Sequence, residues 1–222
     1  MIEPANPERM LALSYASEQS RSALAAVLAL DDTLGQILRT TREPLVGQMR
    51  LTWWHEALVA LDMAPPPAQP VLQALAAEVL PRGISGATLA GMIDGWEVLL
   101  DPDPLTRPGL EAYAAARGGG LFAVAGQILG ATARDPLAAA GAGWALADLA
   151  RHARDAAARL PAEMAATALA DATRQRWSRA ARALGALAHI ARMDLSLPSG
   201  VSPPVGAPRR VARLAWHRFT GR

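Results

Sequence analysis

Residues 42–58 read Arg42-Glu43-Pro44-Leu45-Val46-Gly47-Gln48-Met49-Arg50-Leu51-Thr52-Trp53-Trp54-His55-Glu56-Ala57-Leu58. Glu43 precedes a proline and is steered away from the helical region, so the chain breaks there. Pro44 has the fixed φ that suits a first helical turn. From it, Leu45, Met49, Leu51, Trp53, Trp54, Leu58 and Leu61 recur at helical spacing until Ala64-Pro65-Pro66-Pro67 ends the run. The stretch is a helix bounded by proline on both sides.

The same punctuation extends outward. Upstream, Leu11, Leu13, Leu24, Val27, Leu28, Leu34, Ile37 and Leu38 predict one helix from about Pro7 to Leu38. Downstream, helices are expected from Pro70 to Leu80, after an N-cap at Ser85, and from Gly109 to Gly130. Further ones run from Asp135-Pro136 to about Arg159, from Pro161 onward, and from Thr173 to Met193. Gly118-Gly119-Gly120 interrupt the central helix at about 1 kcal/mol each against alanine. They require a kink, or close approach by another helix or by a ligand. Ser196 to Pro208 is a Pro/Gly-rich loop, and Arg209 to Phe219 is a short basic amphipathic segment. No repeat and no hairpin signal is present. The expected fold is all-α, a single-domain orthogonal helical bundle of roughly eight helices. Its helical domain covers 1–195, and 196–222 form the loop and tail.

Composition narrows the function. The chain has 222 residues, of which 51% are hydrophobic, enough for a substantial core. Every one of the 22 basic residues is arginine, yet the net charge is only +2, so no nucleic-acid partner is expected. The absence of cysteine excludes disulfides, thiol catalysis and Cys-ligated zinc. Charges interrupt every apolar run, so no transmembrane helix is expected. Met1-Ile2-Glu3-Pro4 lacks the pattern of a secretory leader. The expected location is cytoplasmic, with peripheral contact to the inner membrane through the tail. There Arg209, Arg210, Arg213, Arg218 and Arg222 alternate with Val211, Leu214, Trp216 and Phe219. The same pattern suits a helix that packs its apolar side on the body, and both readings stand.

Three stretches together resemble the squalene/phytoene synthase superfamily. Residues 42–58 are similar to its Pro–x–x–Gly–x–x–Arg–Leu–x–Trp–Trp segment, in the form of the branch containing the mitochondrial complex I assembly factor. Tyr113 to Gly130 resembles its central helix. Trp144 to Asp155, followed by Arg159-Leu160-Pro161-Ala162-Glu163, resembles its Leu-Arg-Asp … Leu-Pro helix and turn. The resemblance implies an isoprenoid-synthase fold, and a site where Mg²⁺ ions bind prenyl diphosphates between two aspartate-rich helices.

On that template the first acidic helix is Asp31-Asp32-Thr33-Leu34-Gly35, with glycine where a further carboxylate is needed. In the second, Asp148 is followed four residues on by His152, and Asp155 by Arg159, which would repel a cation. The candidate site is therefore Asp31, Asp32, Asp148, Arg151, His152 and Asp155. The two helices are expected to face one another across a central cavity. Arg151 is expected to pair with Asp155, and Asp148 with His152. Arg50 and Arg154 are candidate phosphate ligands. A metal, under the synthase reading, would fall to Asp31, Asp32 and Asp155, with Glu18, Asp94 or Glu97 completing the cage. His55 and His189 are read as structural.

The leading expectation is a degenerate, non-catalytic assembly or binding factor with a protein partner and no cofactor. Beside it stand an active Mg²⁺-dependent prenyltransferase and a carrier of isoprenoid or other lipid.

Overall fold

Proline and short polar side chains set the helix starts, as expected. Proline occupies the first or second position of the helices at Pro7, Pro44, Pro70, Arg107 and Pro208. The Asn6 side chain accepts from the Glu8 amide at 2.9 Å, and Ser85 accepts from the Thr88 amide at 3.1 Å. The computed structural model describes residues 6–101, 103, 105–153, 155–198 and 200–222, without the side chains of Asp155 and Ala156. Its α-helices are α1 (Pro7–Leu13), α2 (Glu18–Thr40), α3 (Pro44–Ala60), α4 (Pro70–Glu78), α5 (Gly86–Ala90) and α6 (Ile93–Glu97). They continue with α7 (Arg107–Tyr113), α8 (Gly120–Leu129), α9 (Leu137–His152), α10 (Arg159–Arg174), α11 (Arg182–Leu195) and α12 (Pro208–Thr220). There is no strand among the described residues, and the fold is all-α.

Several boundaries differ from the sequence expectation, and the helix expected after Ser85 is split into α5, α6 and a 3-10 turn (Val98–Leu100). The first helix is two: α1 closes at Leu13, the Ser14 hydroxyl bonds back to the Leu11 carbonyl, and α2 starts after Ser17. Serine hydroxyls compete with the helical ladder in this way. The helix expected through Arg159 stops at His152, and a 3-10 turn (Asp155–Ala158) leads into α10. The last long helix begins at Arg182, because residues 175–181 leave the helix to bury Trp177.

α9 is the central helix, packed against α8, α10 and α11. Its face of small residues lets neighbours come close. A Cβ on Gly118 would stand 2.0 Å from the Gly141 carbonyl oxygen, and one on Gly141 would stand 2.2 Å from that of Gly118. Within the glycine run it is Gly118 that serves helix-to-helix backbone contact, while Gly119 meets only the Ala114 carbonyl oxygen, at 3.8 Å. Gly118→Ala should therefore destabilise the protein by at least about 2 kcal/mol, since neither backbone can yield cheaply. Urea denaturation checks this; a change within about 0.5 kcal/mol would show that the contact is not tight.

The chain between α7 and α8 is not α-helical. Ala114–Gly119 form a π turn, which displaces the side chains that follow from their α-helical register. At the far end, α12 is fastened through a buried ion cluster. Arg210 donates to both oxygens of Glu8 on α1 and, at 2.6 Å, to Asp194 on α11. Among the described residues, no helix is long and apolar enough to cross a membrane.

Candidate functional site

The π turn places Arg117 where α2 and α9 meet. Its side chain is buried between Asp31 of α2 and Asp148 of α9. Nε donates to Asp31 Oδ1 at 2.8 Å and Nη2 to Asp31 Oδ2 at 2.9 Å, a bidentate pair. Nη1 donates to Asp148 Oδ2 at 2.7 Å and also to the Tyr113 hydroxyl. The Tyr113 hydroxyl in turn donates to the Ala145 carbonyl at 3.3 Å. The guanidinium carbon lies 3.9 Å from the centroid of Trp96 and 4.9 Å from that of Trp144. Gly95 permits this, because a Cβ there would stand 2.6 Å from the Arg117 backbone nitrogen.

The site holds one guanidinium and two carboxylates, so the cation is fully paired. Burial works against the Arg117 cation, but Asp31 and Asp148 outweigh it and hold the guanidinium firmly protonated. Burial alone would raise the Asp148 carboxyl; the Arg117 charge, with His152 close by, outweighs burial and keeps it below the usual carboxylate range. Burial pushes the Tyr113 phenol up. The arrangement is one cation shared by two carboxylates, with aromatic faces closing the remaining sides.

The expected meeting of the two acidic helices is present in half of its members. Asp31 and Asp148 converge, and His152 lies beside Asp148, with Nδ1 3.4 Å from Oδ1. Asp32 does not enter: its side chain is 52% exposed and pairs with Arg9 at 2.7 Å. Adjacent helical residues diverge by about 100°, so both aspartates cannot face one point. Arg151, expected to pair with Asp155, donates to the carbonyls of Asp194 (2.8 Å) and Val201 (2.6 Å) and ties the 196–207 loop to α9. The Asp155 side chain and all of Arg154 lie outside the described residues. Arg159, expected to oppose a cation, is turned outward, 84% exposed and paired with Glu163. Glu18, Asp94 and Glu97 are exposed.

Two clefts lie near these helices, one of them reaching the triad at Asp148. One, of about 440 Å³, opens beside Asp148 and is lined by Arg151, His152, Asp194 and Val201. The other, of about 770 Å³, lies on the outer side of α2. It gathers Arg9, Asp32, Arg39 and Arg50. Arg50, expected to bind phosphate, donates there to Thr41 Oγ1 at 3.0 Å.

The donor set does not fit a Mg²⁺ cage. Both oxygens of Asp31 are taken by Arg117, and so is one of Asp148. Gly35 brings no carboxylate and abuts Trp96 and Arg39. Among the described residues no group of three or more His, Asp or Glu is placed to hold a metal.

Arg117 was missed by sequence reasoning. It sits in Tyr113-Ala114-Ala115-Ala116-Arg117-Gly118, where a regular helix gives no reason to aim it inward. The available signal was indirect: buried aspartates on two helices short of their metal-binding partners need another cation.

Among known proteins, a solved structure described as a dehydrosqualene synthase in complex with ligand shares this fold. Its TM-score is 0.71 at 17% identity, over 97% of this chain and 92% of that one. No curated protein sequence matches. The squalene/phytoene synthase family model matches residues 3–215, from before α1 into α12, so the chain belongs to the squalene/phytoene synthase family.

Proposed function

We propose that this chain is a non-catalytic member of its family, working as a binding or assembly factor. The observation that carries the reading is Arg117 held between Asp31 and Asp148. Head-to-head condensation begins with departure of a diphosphate bearing close to three negative charges, which needs clustered cations in a low-dielectric site. Arg117 supplies a single positive charge, and two carboxylates already neutralise it.

A protein-binding role is supported by the outer face of α3. Leu45, Met49 and Trp53, spaced four apart, are all exposed, with Val46 beside them. The resemblance of this helix to the complex I assembly factor branch suggests respiratory complex I as the assembly served.

Incubation with Mg²⁺ and farnesyl diphosphate should release no diphosphate and yield no extractable hydrocarbon. Metal-dependent turnover would put the prenyltransferase reading first. For the assembly role, cells lacking the protein should lose assembled complex I while their squalene and carotenoid content stays unchanged. The reverse pattern would overturn it.

A further inference from the structure

The last helix wears its apolar residues on the outside. Arg210, Leu214 and His217 face the body and are buried. On the opposite side Val211, Ala212, Trp216 and Phe219 stand exposed, Trp216 at 60% and Phe219 at 78%. In a helix that only packs on its own domain, this polarity would be reversed. The expectation that the tail buries its apolar side is met by Leu214 alone, and not by Val211, Trp216 or Phe219.

Positive charge is concentrated in the part of the sequence that carries this face, although Arg174 is paired with Asp171 and Arg210 with Glu8 and Asp194. Residues 174–222 hold ten arginines and one acid, Asp194, a formal +9; residues 1–173 hold twelve arginines and nineteen acids, a formal −7. The helical turn puts Arg209 on one flank of the apolar stripe and Arg218 on the other. At the C-terminal end of α12, Arg182 donates to the Arg218 carbonyl, and the Trp177 amide donates to the Gly221 carbonyl at 2.8 Å. These bonds bring the Arg176–Arg182 turn against that end. Among the described residues, no carboxylate pairs with Arg176, Arg179, Arg182, Arg209, Arg218 or Arg222. Trp216 and Phe219 line neither of the clefts described above.

We propose that the outer face of α12 docks on an anionic phospholipid surface, with Trp216 and Phe219 entering the headgroup region and the surrounding arginines meeting the lipid phosphates. Protruding aromatics ringed by guanidinium groups suit a fluid, anionic interface, into which each side chain can sink independently. The docking does not depend on whether the family site is catalytic.

Flotation of the full chain with vesicles tests this. It should rise with vesicles of phosphatidylcholine and phosphatidylglycerol, remain behind with phosphatidylcholine alone, and be released by salt. Trp216→Ser/Phe219→Ser should reduce the bound fraction about tenfold, as should Arg209→Glu/Arg218→Glu. The aromatic variant should keep the parent melting temperature, the arginine variant loses the stack of Arg218 on Tyr15 and is checked for folding by circular dichroism, and Trp53→Ser on α3 should float like the parent. Failure to float with either vesicle, or equal flotation with both, overturns the proposal. So does a concentration-dependent dimer abolished by Trp216→Ser/Phe219→Ser, which would make a second copy the occupant. Binding to polyglutamate without binding to vesicles overturns it in favour of an acidic protein.

Discussion

Arg117→Leu should lower the stability of the protein by about 3–5 kcal/mol, because it strands two carboxylates in a site built around a cation. For a chain of this size that is a melting-point fall of roughly 10 °C. Asp31 is the more exposed to this penalty in the energetic sense, being buried with both oxygens committed to the lost guanidinium. Asp148 is 33% exposed and can recover some hydration. The triple variant Arg117→Leu/Asp31→Asn/Asp148→Asn removes the uncompensated charge and should regain a large part of the loss. Guanidinium denaturation of the parent, the single and the triple variant decides the matter. A single-variant change within about 0.5 kcal/mol would mean that the triad contributes nothing. A triple variant no better than the single would assign the loss to packing against Trp96 and Trp144 instead of to charge.

How this site arises from the sequence explains which parts of it were legible. Helix starts were readable because proline, asparagine and serine act locally: Pro44, Pro70 and Ser85 each sit where their backbone preferences place them. The approach of Asp31 and Asp148 was readable from the order of the family stretches. The orientation of Arg117 was not, because it depends on one π turn, and no side-chain pattern announces a single wide turn in an alanine-rich run. The Glu8–Arg210 pair was unreadable for a different reason. It joins residues some two hundred positions apart, and nothing local marks either as buried. Asp32 illustrates a third limit. Reading Asp31-Asp32 as a unit ignored the turn of the helix, which sends the second carboxylate to Arg9 at the surface.

These observations share a physical theme. The described core contains two places where an arginine on one element is clamped by acids from two others: Arg117 with Asp31 and Asp148, and Arg210 with Glu8 and Asp194. Arginine suits both, since its planar fork satisfies two carboxylates at once and stays charged when buried. The first joins α2 and α9 through the π turn; the second joins α1, α11 and α12. Alanine-rich helices offer little side-chain volume for specific packing, so directional ion clusters of this kind help fix which helix faces meet.

Acidification from pH 7 to pH 5 should destabilise the protein by on the order of 3 kcal/mol, through His189 and His217. The two rings are buried between α11 and α12, with centroids 4.8 Å apart. His217 Nε2 bonds to the Arg182 carbonyl at 3.0 Å, and its buried Nδ1 has no partner. Burial, with the Arg213 charge, brings His189 down to about 3. Burial likewise brings His217 down to about 4, against the opposing hydrogen bond to Arg182. Each folded-state value lies below the ordinary imidazole value near 6.5. As pH falls, the unfolded chain therefore takes up protons first, and stability present above about pH 6.5 drains away down to the folded values. Glu8, Asp135 and Asp148 are also held low, but their contribution is lost only below about pH 4. Burial raises Asp194, which acts in the opposite sense. The window between pH 6.5 and pH 4.5 thus belongs to the histidine pair. Urea midpoints measured across it should fall steadily for the parent and stay level for His189→Gln/His217→Gln, even if that variant starts lower. Equal slopes in the two proteins would show that the pair does not titrate on unfolding and that the acid sensitivity lies elsewhere.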